Sequence, residues 1–165
     1  ALYLFEDKGI VIEEAVMGVM LFNGTMCIGR LLGNRLGKHL TSKQVVVGGY
    51  LLGSIAMGLI VFLPGHASMY TYLLLGISLA MIVPNLFSAM GEQNVIPMTQ
   101  AVATSTMLGY MGILMGPALI GFIAHGTSLT VAFIVLTTLL VVSAGIGKYA
   151  YHLMSKDCGL SEEQI

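Results

Sequence analysis

Charge is what this sequence has least of. Asp, Glu, Lys and Arg make up 9% of its 165 residues, against about a quarter in an average soluble chain. With 56% hydrophobic residues and a mean hydropathy of +0.90, a water-soluble domain is excluded. The few charges are also clumped. Lys43 and Glu92 are separated by 48 uncharged positions, and Glu92 and Lys148 by 55. A bilayer crossing takes about 20 apolar residues, so each uncharged stretch holds two spans and a short turn. The runs are continuously apolar rather than alternating, which disfavours a lipid-facing barrel. The expected fold is an all-α integral membrane protein.

Other absences narrow the function. A net charge of −1 and a pI near 6.5 leave no basic face for nucleic acid. Of the two cysteines, Cys27 falls in a span and Cys158 in a polar tail, without CxxC or Cys/His ligand spacing. Neither a disulfide nor a metal centre is expected, and no cofactor. Glu13 and Glu14 sit at an outer helix end and read as solvated, and His66 and His125 lie at the outer edge of their spans. The spans therefore lack the paired Asp, His/Glu set or Ser/His pair of an intramembrane enzyme. A pore would call for repeated charged or carbonyl-rich filter elements, and none is evident. No basic n-region precedes an apolar run, so no signal peptide is read. The opening Leu2-Tyr3-Leu4-Phe5, without a leading Met, reads as the end of a preceding helix over residues 1–10.

Five spans are placed at about 12–33, 44–63, 69–90, 101–125 and 129–151, followed by a cytoplasmic tail over 152–165. Arg30, Arg35, Lys38 and Lys43 lie between the first two spans, and Lys148 and Lys156 at the C-terminal end. With five alternating spans these six cations share one side, and the other side carries only Lys8. The Lys/Arg bias makes the first side cytoplasmic. This describes a multi-pass protein of the cell membrane, its C-terminus inside.

Within the spans, small and polar residues form stripes. Ser105, Gly109, Gly112 and Gly116 follow one another at i, i+4, i+7 and i+11, and Gly49, Gly53 and Ala56 make a second stripe. Both suit close helix approach, because lipid supplies no hydrophobic force between helices. Pro84 and Pro117 each remove a helix hydrogen bond, at the carbonyls of Ala80 and Ile113. Each is either a static kink or a hinge beside a cavity. Thr71, Ser78 and Asn85 recur every seven residues, with Ser88 a turn later. Thr106 and Tyr110 line one side of the fourth span, and Asn23, Cys27, Arg30 and Asn34 one side of the first. Two readings stand: hydrogen bonds between helices, or a water-filled solute path. Asn23, Asn85, Ser88, Thr106 and Tyr110 are the candidates for the second. Arg30, near its helix end, snorkels to the interface by default. Met107, Met111 and Met115 form a soft apolar ridge suited to packing or lipid.

The segment Arg30–His39 resembles the loop signature of the major facilitator superfamily, G-x-L-x-D-R-x-G-R-R. Leu32, Arg35 and Gly37 match outright, and Lys38 and His39 replace arginines with basic residues. Arg30 stands where the first Gly belongs, and Asn34 where the Asp does, so a charge relay through that Asp is lost. Residues 109–122 are similar to the eleventh helix of bacterial members, and 82–91 to the tenth. The resemblance implies the C-terminal half of a twelve-helix secondary transporter: spans eight to twelve, after the tail of a seventh. It implies a solute site between two six-helix bundles that rock to expose it alternately. The first, third and fourth spans here would line that site, and the second and fifth would lie outside. The partners implied are the bilayer, the N-terminal half and a small-molecule solute, with any coupling to a proton or ion gradient carried by the N-terminal half. Asn, Thr and Tyr suit an uncharged hydroxyl-bearing solute such as a sugar; the methionines and aromatics suit an amphipathic, drug-like one. The alternative is an accessory or oligomeric membrane subunit without transport of its own.

Overall fold

Apolar runs of 20 to 29 residues, each stopped by a proline, a serine or a glycine-containing turn, dictate long helices. The computed structural model describes residues 2–36, 41–92 and 96–158, and all its regular structure is helical. A short α1 (Leu2–Glu6) precedes α2 (Ile12–Leu36), α3 (Ser42–Phe62), α4 (Gly65–Ala80), α5 (Ile82–Glu92), α6 (Met98–Gly126) and α7 (Leu129–Cys158). Five segments are long and apolar enough to cross a membrane: α2, α3, α4 with α5, α6 and α7.

Local chemistry explains the boundaries. Glu13 and Glu14 occupy the first turn of α2, where the helix dipole favours acids. Pro64 ends the α3–α4 turn and Pro97 precedes α6, since proline cannot donate to the turn before it. Ser128 caps α7 by accepting from the Val131 N–H at 3.2 Å. Gly9 takes the left-handed conformation, φ 65°, that turns the chain out of α1. The Ile10 N–H then reaches back to the Leu4 carbonyl at 3.0 Å.

Three expected boundaries are corrected. The third span is not one helix: Met81 separates α4 from α5. Pro84 has no N–H to offer the Ala80 carbonyl and falls in the first turn of α5, where that donor is not needed. Pro117, by contrast, lies inside an unbroken α6. The basic segment read as a loop is helical from Arg30 to Leu36. Gly37, Lys38 and His39 lie outside the described residues, as do the side chains of Leu32, Asn34 and Arg35. At the other end α7 runs on from Tyr151 to Cys158, so helix takes up the first half of the expected tail, and residues 159–165 lie outside the described residues.

The helices pack in sequence across the bundle, α2 along α4, α4 along α3 and α3 along α7. Tyr3, Leu4, Ala56, Ile60, Tyr72 and Leu75 form the core between them, so the short α1 is tucked inside. The Gly49–Gly53–Ala56 stripe is a true contact face. A Cβ on Gly49 would lie 2.7 Å from the Ser78 carbonyl oxygen, and one on Gly53 would lie 3.1 Å from Leu79. The second stripe behaves otherwise: Cβ atoms on Gly109, Gly112 and Gly116 would meet nothing within 4 Å. Among the described residues nothing approaches this stripe of α6 closely. The tightest crossing is one that no regular stripe announced. Gly29 of α2 faces Ala80, and Gly76 of α4 sits against Thr25 and the Phe22 carbonyl.

Hydroxyls and amides in the spans do not bridge helices as expected. Asn23, Thr25, Ser54, Thr71, Ser78, Thr106, Thr137 and Thr138 each donate to a carbonyl three or four residues back in the same helix. That partner is always at hand, which explains why it wins. Among the described residues Ser68 differs: buried at the start of α4, it donates to the Ile60 carbonyl of α3 at 2.9 Å.

Polar ties gather instead at the end carrying the α1–α2 connection. Lys8 Nζ donates to the Val61 and Leu63 carbonyls, at 2.7 and 2.9 Å, satisfying the C-terminus of α3. Its cation also lies 5.6 Å from the Tyr3 ring centre, and that ring stacks on Phe133 at 4.2 Å. Thr130 donates to Asp7 at 3.0 Å, and Glu14, expected to be solvated, pairs with His66 at 2.8 Å. Lys8→Met should cost about 2 kcal/mol, since two carbonyls lose a half-buried charged donor. A thermal melt of the purified chain reads this directly. An unchanged midpoint would show that water replaces the ammonium freely.

Candidate functional site

The break at Met81 sets α5 at the flank of the bundle, where α6 leans on it and on α7. On α5, Val83, Leu86, Phe87 and Met90 recur at i, i+3, i+4 and i+7, one helical face. On α6, Ser105, Thr106, Gly109, Tyr110 and Ile113 fall on one face by the same spacing. The two faces enclose a groove of about 460 Å³. Its walls are apolar, three hydroxyls project from α6, and no charged residue lines it. Thr106 donates to the Val102 carbonyl at 2.7 Å, which leaves its oxygen able to accept from a guest. Tyr110 is 64% exposed and has no neighbour crowding its ring into the core.

Of the five cavity candidates, the structure brings Thr106 and Tyr110 together in this groove. Asn85 is not among its lining residues. Its Nδ2 donates to the Met81 carbonyl at 2.7 Å, and its backbone N–H reaches the same oxygen at 3.3 Å. Asn85 thus reinforces the helix restart after the break. Ser88 is exposed on another face of α5. Asn23 is exposed on α2, bonded to Val19, and α2 packs on α4 rather than on α6. The expected convergence of Asn23, Asn85 and Tyr110 is not made by this chain. Thr71 and Ser78, the rest of that seven-residue edge, are buried, and Ser78 faces the Gly49–Gly53 stripe.

Sequence reasoning missed Ser105 as a groove residue, because its place on the glycine stripe reads as packing. It also missed the apolar face of α5, whose i, i+3, i+4, i+7 pattern was there to be found.

No family model matches the chain, and neither does any solved structure. Curated proteins do. The chain is 40% identical over 147 residues to an uncharacterized MFS-type transporter of Yersinia pestis, a match covering 87% of the chain and 38% of that protein. The chain thus matches a partial region of an MFS-type transporter. The chain is also 28% identical over 148 residues to the membrane protein MosC of Rhizobium meliloti, covering 88% of the chain and 36% of MosC. An uncharacterized transporter of Sinorhizobium fredii is 25% identical over 139 residues, or 82% of the chain and 36% of that protein. The chain therefore spans well under half the length of the curated relatives it matches.

Proposed function

We propose that this chain supplies the C-terminal half of a secondary transporter that moves a small, uncharged, amphipathic solute by alternating access. The observation carrying this reading is the α5–α6 groove, apolar-walled with three hydroxyls and set beside a broken helix. Interrupted spans are where transporters place solute sites, and few polar groups on apolar walls are what small-molecule sites share. The open faces of α2 and α6 suit the approach of a second bundle. Only Ala101 of α6 is buried, and its glycines meet nothing. The apolar lining favours an amphipathic guest over a sugar, which needs a denser array of polar partners. No Asp, Glu, His, Lys or Arg lines the groove, and we assign any ion coupling to the N-terminal half.

Orientation completes the proposal: the basic segments and the C-terminus lie inside, and the end tied by Lys8, Glu14 and His66 lies outside. Cysteine labelling of the complete transporter tests both parts, with Cys27 and Cys158 first replaced by serine. His66→Cys should react with an impermeant thiol reagent only from outside. Ser105→Cys should react from both faces in turn, because alternating access opens the groove each way. Labelling of Ser105→Cys from one face alone would refute alternation, and labelling of His66→Cys from inside would invert the topology.

A further inference from the structure

The polar groups of the α5–α6 groove are unevenly divided between donors and acceptors. A threonine hydroxyl has one proton to give. Thr106 gives it to the Val102 carbonyl of its own helix, at 2.7 Å, so toward the groove its oxygen only accepts. Two turns on, Ile113 lines the same wall. In a regular helix its carbonyl would take the N–H four residues later, but Pro117 has none to offer. The wall thus carries a second oxygen without its helical donor. Gly109 lies between the two, and a Cβ there would meet nothing within 4 Å, so a guest reaches the backbone of α6.

The opposite wall does not redress the balance. Its α5 side chains are apolar, and no Lys, Arg or His lines the groove. Asn85, the amide of α5, gives its Nδ2 to the Met81 carbonyl at 2.7 Å. The hydroxyls of Ser105 and Tyr110 rotate to donate or to accept, so they adapt to a guest and set no preference. A guest whose polar end only accepts, such as an ether or an ester, leaves the Thr106 oxygen unpaired against apolar surface, at a cost in free energy. A guest with an O–H or N–H satisfies it. We propose that the groove selects uncharged solutes whose polar end donates a hydrogen bond, an alcohol, a phenol or an amide N–H, over matched ethers and esters, and that Thr106 sets this preference. The inference rests on reading the groove as a solute site, and adds to that reading a chemical class and the residue that selects it.

The test uses the complete transporter, freed of its other cysteines and carrying Ser105→Cys. Two probes, 4-phenylphenol and its methyl ether 4-methoxybiphenyl, are compared for protection of that cysteine from N-ethylmaleimide. They share an apolar body and differ by one O–H. The phenol should half-protect at a free concentration about fivefold lower than the ether, the worth of one hydrogen bond to an oxygen otherwise left unpaired. Thr106→Val keeps the shape, removes the oxygen and should bring the two concentrations together. Thr106→Ser keeps the oxygen and should preserve the gap. Thr138→Val makes the same exchange on α7, where that hydroxyl also donates within its own helix, and should leave the gap as it is. Equal protection by the two probes in the parent would overturn the preference and leave the groove a solute site. A gap that persists in Thr106→Val, or closes in Thr138→Val, would overturn the role of Thr106. No protection by either probe, with the cysteine still reactive, would overturn the reading of the groove itself and the preference with it.

Discussion

Gly76→Ala should lower the stability of the purified chain by about 3 kcal/mol, the upper part of the usual range for overpacking. The added methyl meets Thr25 Oγ1 and lies 2.5 Å from the Phe22 carbonyl oxygen and 3.2 Å from the Met26 nitrogen. Two of those three atoms are backbone, so no side-chain rotation makes room, and α2 must move off α4. Gly76→Leu should leave little folded protein to recover. Thr25→Ala in the Gly76→Ala background should restore only part of the loss, because the Phe22 carbonyl stays where it is. Gly109→Ala is the matched control: its methyl enters open space, and alanine is the better helix former. Thermal melts of the four variants in one detergent decide the matter. Equal midpoints for Gly76→Ala and Gly109→Ala would mean that the α2–α4 crossing is looser than the geometry requires.

Thr106→Trp in the complete transporter should cut solute flux at least tenfold while leaving the protein in the membrane at its usual level. The indole would occupy much of the groove between α5 and α6, where Thr106 is exposed and faces Phe87 and Met90 across the opening. Met107→Trp, one position along and 66% exposed on the other side of α6, should leave flux near that of the parent. The comparison matters because both variants place the same bulk on the same helix. Equal flux in the two would remove the groove from the solute path, whatever becomes of the superfamily assignment.

Much of the fold was legible because membranes simplify the problem. Long uncharged runs fix the number of spans, and Pro84 located the break that Met81 makes. The Gly49–Gly53–Ala56 spacing marked a real contact face. What stayed hidden depends on pairs of helices rather than on one. Gly29 and Gly76 look unremarkable alone, and only the crossing of α2 over α4 gives them neighbours. Gly109, Gly112 and Gly116 show the reverse, a regular stripe with nothing close against it among the described residues. Periodicity shows that a face is small, not what lies opposite. The site followed the same rule. Thr106 and Tyr110 were found by polarity, but Val83, Leu86 and Phe87 became lining residues only through the placement of α5 beside α6. Lys8 was read as one count in a charge balance, and its two carbonyl partners lie more than 50 residues away in sequence.

The self-contained hydrogen bonding of the spans bears on how the chain is made. A ribosome delivers helices to the bilayer in order, and an early span must sit in lipid before its later neighbours exist. A hydroxyl that relied on a distant helix would wait unsatisfied in hydrocarbon, at a cost of several kcal/mol. Here Thr25, Ser54, Thr71 and Thr106 are satisfied by the turn just synthesised. Each can partition as though fully apolar, and assembly can then proceed sideways between finished helices, with shape rather than polarity choosing the partners. Ser68, whose acceptor belongs to the preceding helix, need wait only for the turn at Pro64 to close.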